Sequence, residues 1–85
     1  MRGVVSSLAQ LHHRLPWCFK EYFAKVGLDV NDPKFLELVG SDHQKWSGAY
    51  TAEWAKYIEK NPVPDVTNIL EHLKTLADYP YRIYR

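Results

Sequence analysis

Prolines and glycines divide this chain into short segments, and they do so in a repeated order. Pro16 is followed by Gly27, and Pro33 is followed by Gly40. Proline fits the first position of a helix, where its missing N–H costs nothing, and glycine suits the residue that ends one. No repeat or low-complexity tract is present, so this punctuation is the main guide to where the elements lie.

Two helices are expected in the first half of the chain. A spacing of i, i+3, i+4 and i+7 predicts an amphipathic helix over about residues 16–26. The residues with this spacing are Phe19, Tyr22, Phe23 and Val26. Asp32 is a capping residue and predicts a second, short helix that begins at Pro33. The apolar residues of this second helix are Phe35, Leu36 and Val39.

A third helix is predicted to begin near His43. Ser41 and Gln44 have the spacing of a capping box, which places His43 in the first turn. We expect the helix to break at Ser47 and Gly48 and then to resume with an apolar face. The residues of that face are Tyr50, Trp54, Tyr57 and Ile58.

A last helix is expected after a stiff linker at residues 61–64. Asp65 has the character of its N-cap. Its apolar face is Val66, Ile69, Leu70, Leu73 and Ala77. An aromatic tail follows at residues 79–85. Residues 4–15, by contrast, fit either a helical turn or an irregular strand.

The composition excludes several classes of protein. A length of 85 residues allows one small domain. The net charge of +1 means that binding to nucleic acid would need a local basic patch. A single cysteine, Cys18, excludes an intramolecular disulfide framework and a Cys-rich zinc site. The apolar runs are far shorter than the ~20 residues of a membrane span, and no signal peptide is visible.

Three of the four histidines have a spacing that suits metal-assisted chemistry. His12 and His13 are adjacent, and His43 follows at a helix start. Imidazole is the commonest metal ligand and the base best matched to neutral pH. One member of the pair can bind an ion while the other takes a proton from water, and His43 can supply a second ligand. The same histidines are equally compatible with exposed or hydrogen-bonded structural roles.

Other reactive side chains are interpreted as structural. His72 is expected on the solvated side of the last helix and is assigned no role. Cys18 is expected to be a small buried or half-buried side chain. The Trp and Tyr stripes are interpreted as core rather than as a surface on which nucleobases stack.

The order of the motifs resembles one group of nucleases. The chain reads LHHRLP at residues 11–16, GLDVNDPKF at residues 27–35, then His43, then YTAEW at residues 50–54. Over about residues 8–60 this resembles the His-His (AHH/LHH-like) variants of the HNH/endonuclease VII superfamily. Those domains occur at the C-termini of bacterial polymorphic toxins.

The resemblance implies a helix-rich α+β fold. Its core would be a ββα-metal (His-Me finger) unit, with a small β-hairpin feeding a helix, inside one nuclease toxin domain over residues 1–85. The C-terminal helix and tail at residues 64–85 would be additions to that core. Because the region between the histidine pair and His43 looks largely helical, we expect little strand.

The resemblance also implies roles for individual residues. His13 would be the general base, and His12 and His43 would be metal ligands. Trp46 and Ser47 stand where many relatives carry another histidine, so water would complete the ligand set.

Four further residues are predicted to support the site. Arg14 and Lys45 flank the histidines in sequence and are predicted to contact phosphate. Asp29 or Asn31 is predicted to orient the base. The implied cofactor is one divalent ion. Phosphate chemistry and cellular supply favour Mg²⁺, with Mn²⁺, Ni²⁺ and Zn²⁺ as alternatives.

By this resemblance the chain is a metal-dependent endonuclease that hydrolyses DNA. It would be the toxin domain of an antibacterial effector, delivered into the cytoplasm of a target cell and neutralised by a cognate immunity protein. Near-neutral charge, helical periodicity and the aromatic tail suit an alternative, a non-catalytic helical protein-interaction module. A degenerate nuclease fold that binds without turnover is the remaining hypothesis.

Overall fold

The computed structural model describes residues 10–40 and 43–77, which form a small α+β fold. Two short strands, β1 (Gln10–His13) and β2 (Leu36–Val39), pair in antiparallel orientation. The α-helices are α1 (Lys20–Ala24), α2 (His43–Lys60) and α3 (Val66–Thr75). The predicted α+β class and low strand content are confirmed. The Ser41 cap and the tail at residues 79–85 lie outside the described residues.

The first predicted helix forms in the expected place but in two parts. A 3₁₀ turn at Trp17–Phe19 leads into α1. Gly27 has φ +81°, and its N–H donates to the carbonyl of Ala24 at 3.0 Å, while the N–H of Leu28 donates to the carbonyl of Phe23 at 3.1 Å. This bond pair is a Schellman motif, so the glycine ends the helix as predicted.

The helix predicted from Pro33 to Val39 is wrong in its second half. The Asp32 carboxylate accepts the N–H of Lys34 at 3.1 Å, so the cap is confirmed, but it starts only one 3₁₀ turn, Pro33–Phe35. The next four residues form β2 instead. The reason is non-local: each residue of β2 has a partner on β1, and a local apolar spacing does not contain that pairing.

Helix α2 is continuous, so the predicted break at Ser47 and Gly48 is wrong. Gly48 is exposed, and a Cβ added there would have no neighbour within 4 Å. A glycine in an exposed helix position costs about 1 kcal/mol, which the packing of α2 outweighs. Of the predicted apolar face of this helix, Tyr50 and Trp54 are buried and Tyr57 and Ile58 are half-buried. Trp46, which the prediction did not include, is buried as well.

The core lies where α2 meets α1, α3 and the loops around the sheet. Its buried members are Leu15, Phe23, Val30, Phe35, Trp46, Tyr50, Trp54, Ile69, Leu73 and Leu76. The Asp65 carboxylate accepts the N–H of Asn68 at 3.0 Å, which confirms the predicted cap of α3. The face of α3 is narrower than predicted, because Val66 and Ala77 are exposed. Of the helices in the described part of the chain, none is long and apolar enough to cross a membrane.

Candidate functional site

The structure brings His12 of β1 against His43 at the start of α2. Alternate residues of a strand face opposite sides, and His12 is on the side that α2 covers, where it is only 5% exposed. Its Nδ1 lies 3.1 Å from Nε2 of His43. The His12 ring also packs edge-on against the rings of Trp46 and Tyr50, with centroids at 5.0 and 4.6 Å. Two histidines from distant parts of the sequence therefore form one rigid pair.

Hydrogen bonds define which nitrogen of each ring carries the proton. Nδ1–H of His43 donates to Oε1 of Gln10 at 3.1 Å, which leaves a lone pair on Nε2 of His43. His12 donates its Nδ1–H to that lone pair. Burial, followed by the positive charges of His43, Arg14 and His13, lowers the pKa of His12 to about 4. His12 is therefore neutral at physiological pH, the form in which imidazole binds metals.

His13 is held separately by the loop before β2. Its Nε2–H donates to Oδ1 of Asn31 at 3.0 Å, so Nδ1 keeps its lone pair. The backbone N–H of Asn31 in turn donates to Oδ1 of Asp29 at 2.9 Å. Asn31 thus contacts the histidine directly, whereas Asp29 acts one step further away by fixing the loop.

All three histidines line a single cleft of about 220 Å³. The other lining residues are Leu11, Pro16, Trp17, Cys18, Ser47, Tyr50 and Thr51. A larger concavity of about 410 Å³ contains Asp29 and Asn31 but no histidine. The smaller cleft is therefore the one that combines a candidate base with candidate metal ligands.

The two residues predicted to contact phosphate do not line this cleft. Arg14 donates from Nη1 to the carbonyl of Lys34 at 3.3 Å, and its own carbonyl accepts the hydroxyl of Tyr50 at 2.7 Å. Arg14 therefore connects the end of β1 to Lys34 and to Tyr50 of α2. Lys45 is exposed on α2. Contact of either side chain with phosphate stays a prediction.

The 3.1 Å separation within the His12–His43 pair is that of a hydrogen bond, and it is also compatible with two ligands of one divalent ion. Two nitrogens bound to one ion at about 2.1 Å lie about 3.0 Å apart at an angle of 90° and about 3.4 Å apart at the tetrahedral angle. The observed separation of 3.1 Å falls between these values. Among the described residues, no group of three or more His, Cys, Asp or Glu side chains could hold a metal ion. A metal ion at His12 and His43 therefore stays a prediction.

Sequence reasoning missed Gln10, the acceptor for His43. The available signal was its position two residues before His12, because residues i and i+2 of a strand share a face. The expectation for Cys18 was wrong, since the thiol is exposed on the 3₁₀ turn.

The expectation that His72 lies on a solvated face was also wrong. Its ring is half-buried and stacks on Tyr57 at 4.4 Å between centroids, with Trp54 edge-on at 4.7 Å. The reason is that α3 packs on α2 through this side as well as through its aliphatic residues, which a local hydropathy pattern does not reveal.

We expect the free energy of unfolding of the metal-free chain to fall between about pH 6.5 and pH 4. His12 has a pKa of 6.5 when unfolded and about 4 when folded, so in this window the unfolded chain takes up a proton that the folded chain does not. Acid therefore favours unfolding, by at most about 3 kcal/mol. Urea titrations at several pH values, with EDTA present, measure the slope.

The matched control for this pH dependence is His12→Gln, which removes the titrating group. Burial also lowers the pKa of His72, which adds a contribution of the same sign. The variant should therefore show a smaller slope rather than none. An identical slope in both proteins would contradict the assignment to His12.

Comparison with known proteins gives no match. No protein-family model, no curated protein and no solved structure is significantly similar to this chain.

Proposed function

We propose that this chain is a metal-dependent endonuclease with a ββα-metal site built from β1, β2 and α2. The observation that carries the proposal is the His12–His43 pair, in which nitrogens from a strand and from a helix start lie 3.1 Å apart. The adjacent His13 lines the same cleft but makes a different hydrogen bond. Two ligands and a separate base thus converge on one small site.

In this proposal His13 is the general base. Asn31 accepts the proton on Nε2, so the lone pair of Nδ1 is available for a proton from water. The ring is half-buried and held by a loop that Asp29 braces, which keeps this nitrogen oriented. General bases of this kind contribute about 10²–10⁴-fold to rate.

His12 and His43 are the proposed ligands. An ion held by these residues would neutralise charge on a phosphodiester and stabilise the oxygen that departs. Gln10 accepts the proton on Nδ1 of His43, which directs Nε2 toward His12, and burial keeps His12 neutral. Binding of an ion between the two rings would require the His12 proton to move from Nδ1 to Nε2. Imidazole suits Ni²⁺ and Zn²⁺, whereas phosphate chemistry and cellular supply favour Mg²⁺, with Mn²⁺ as a further alternative.

The proposed biological role rests on the sequence resemblance. As the toxin domain of an antibacterial effector, the chain would be delivered into a target cell and cleave its DNA. The producing cell would then need a cognate immunity protein. An acidic face on that partner would complement basic groups such as Arg14 and Lys45 near the site.

Plasmid cleavage with and without metal tests the proposal. We expect nicking in the presence of at least one of Mg²⁺, Mn²⁺, Ni²⁺ and Zn²⁺, and none in EDTA. His43→Ala should weaken metal binding at least about tenfold, because it removes one of two protein ligands. Isothermal titration calorimetry measures that affinity separately from turnover.

Two results would contradict the nuclease proposal. One is a folded chain that cleaves nothing with any of the four metals, and the other is cleavage that persists in EDTA. Metal binding without cleavage would favour the degenerate nuclease fold.

A non-catalytic interaction module is the second candidate function, and one surface favours it. Leu11 and Leu38 are cross-strand partners on the sheet and are 52% and 73% exposed. Paired apolar side chains on a two-stranded sheet suit contact with another protein. This candidate predicts no metal-dependent cleavage, together with loss of binding when both leucines are replaced by serine.

A further inference from the structure

Trp17 differs from the other two tryptophans of the chain in its exposure. It is 53% exposed, whereas Trp46 and Trp54 are 1% and 0% exposed. Its position is nonetheless well defined. It begins a 3₁₀ turn in which the N–H of Phe19 donates to the carbonyl of Pro16 at 3.0 Å, and Pro16 is itself buried. A rigid turn therefore presents a large aromatic ring to solvent.

The Trp17 ring lies near a positive charge and near the histidine cleft. Nζ of Lys20 lies over the ring, 4.0 Å from its centroid. Lys20 is not among the residues that line the histidine cleft, whereas Trp17 is. The ring therefore contacts an ammonium group and also lines the cleft that contains His12, His13 and His43.

Exposure of a single apolar side chain has little meaning by itself, because most of a protein surface is apolar. Here the ring lines the cleft together with Pro16 and with residues of α2. The volume of about 220 Å³ is below the roughly 300–1,000 Å³ of pockets for drug-sized ligands. Such a cleft suits one part of a chain-like ligand rather than a complete small molecule.

We infer that Trp17 is a platform on which an unpaired nucleobase stacks, with Lys20 beside it to contact the neighbouring phosphate. Aromatic stacking of this kind is insensitive to sequence, because every base has a π-face. In a duplex both faces of each base are already covered by adjacent base pairs. The cleft should therefore prefer single-stranded or locally unpaired nucleic acid. The inference rests on the proposed function, since it takes nucleic acid as the ligand.

Binding to short oligonucleotides in EDTA tests the inference without cleavage. The probes are labelled oligothymidylate, an abasic oligomer of the same length and a duplex, with fluorescence anisotropy as the readout. We expect the unaltered 85-residue chain to bind oligothymidylate more tightly than either of the others. Tryptophan fluorescence should be quenched on binding, because the exposed Trp17 is the ring that the base reaches. An oligouridylate arm distinguishes RNA from DNA as the source of the base.

Three variants distinguish the contribution of stacking to the affinity from the contribution of charge, and a folding control accompanies each. Trp17→Leu should weaken binding to oligothymidylate roughly 5- to 150-fold, the range for loss of one stacked base. Trp17→Phe should retain most of the affinity, since it retains a ring. Lys20→Gln should weaken binding to the abasic oligomer and to oligothymidylate by a similar factor. Circular dichroism verifies that each variant is folded.

Several outcomes would overturn the inference. They are unchanged binding by Trp17→Leu, equal affinity of the unaltered chain for the abasic oligomer, tighter binding to duplex, or no binding to any oligomer. The nuclease proposal fails independently of these. Binding that depends on Trp17 with no cleavage under any metal would leave the inference standing and reject the nuclease. Metal-dependent cleavage of single-stranded substrates at equal rates by Trp17→Leu and by the unaltered chain would support the nuclease proposal and contradict the inference.

Discussion

The His13→Ala variant is expected to cleave plasmid DNA about 10²–10⁴-fold more slowly than the unaltered chain. This is the usual contribution of a general base, and the variant removes the Nδ1 lone pair that Asn31 leaves available. Because His13 is half-buried and its side-chain hydrogen bond to Asn31 is exposed, the fold should survive the change. The measurement is the rate of nicking at saturating metal, with folding checked by circular dichroism.

Two comparisons make the His13 result specific. His72→Phe removes an imidazole outside the cleft and retains a ring that can stack on Tyr57, so its activity should be close to normal. Imidazole added to the buffer should partly restore His13→Ala, because a small base can enter the space that the side chain vacates. A fully active His13→Ala protein would reject His13 as the base.

Trp54→Ala should destabilise the chain by about 3–5 kcal/mol, the range for loss of a buried aromatic side chain. Trp54 is 0% exposed and packs edge-on against Phe23, Tyr57 and His72, with centroids at 5.2, 5.5 and 4.7 Å. It therefore joins α1, α2 and α3 in one cluster. A small domain has a total stability of only about 5–15 kcal/mol, so the variant should be partly unfolded at growth temperature. Thermal and urea unfolding measure the loss.

The matched control for Trp54 is the same substitution at the exposed tryptophan. Trp17→Ala removes a side chain that is 53% exposed, so it should cost less than about 1 kcal/mol. The two variants delete the same atoms and differ only in burial. Equal stability losses at the two positions would contradict the location of the core.

Local signals in the sequence predicted the helix caps and the helix-ending glycine correctly, because each depends only on residues a few positions away. Asp32 and Asp65 both cap as predicted, because each carboxylate binds backbone N–H groups only two or three residues away. Gly27 ends α1 because the left-handed conformation there suits a residue without a side chain. The buried stripe of α2 follows from helical spacing alone. These features depend on neighbours in sequence.

Features that depend on distant partners were not accessible to that reasoning. β2 was predicted as helix because its pairing with β1 joins residues more than twenty positions apart. The half-burial of His72 and the exposure of Cys18 depend on which side of each element meets α2. Hydropathy describes the residue and not the surface that it meets, so each of these expectations was wrong for the same reason.

The candidate site also combines residues that the sequence predicted with distances that only the folded chain reveals. The residues and the family resemblance predicted the three histidines, with Asp29 or Asn31 as an orienting group; of these two, Asn31 contacts His13. Their arrangement required the folded chain: the 3.1 Å contact between His12 and His43 and the support from Gln10 arise where β1 packs on α2. Trp17 likewise lines the cleft with residues of α2 that are more than twenty positions away in sequence. Local spacing selects residue types and caps, whereas packing between distant segments sets the distances on which chemistry depends.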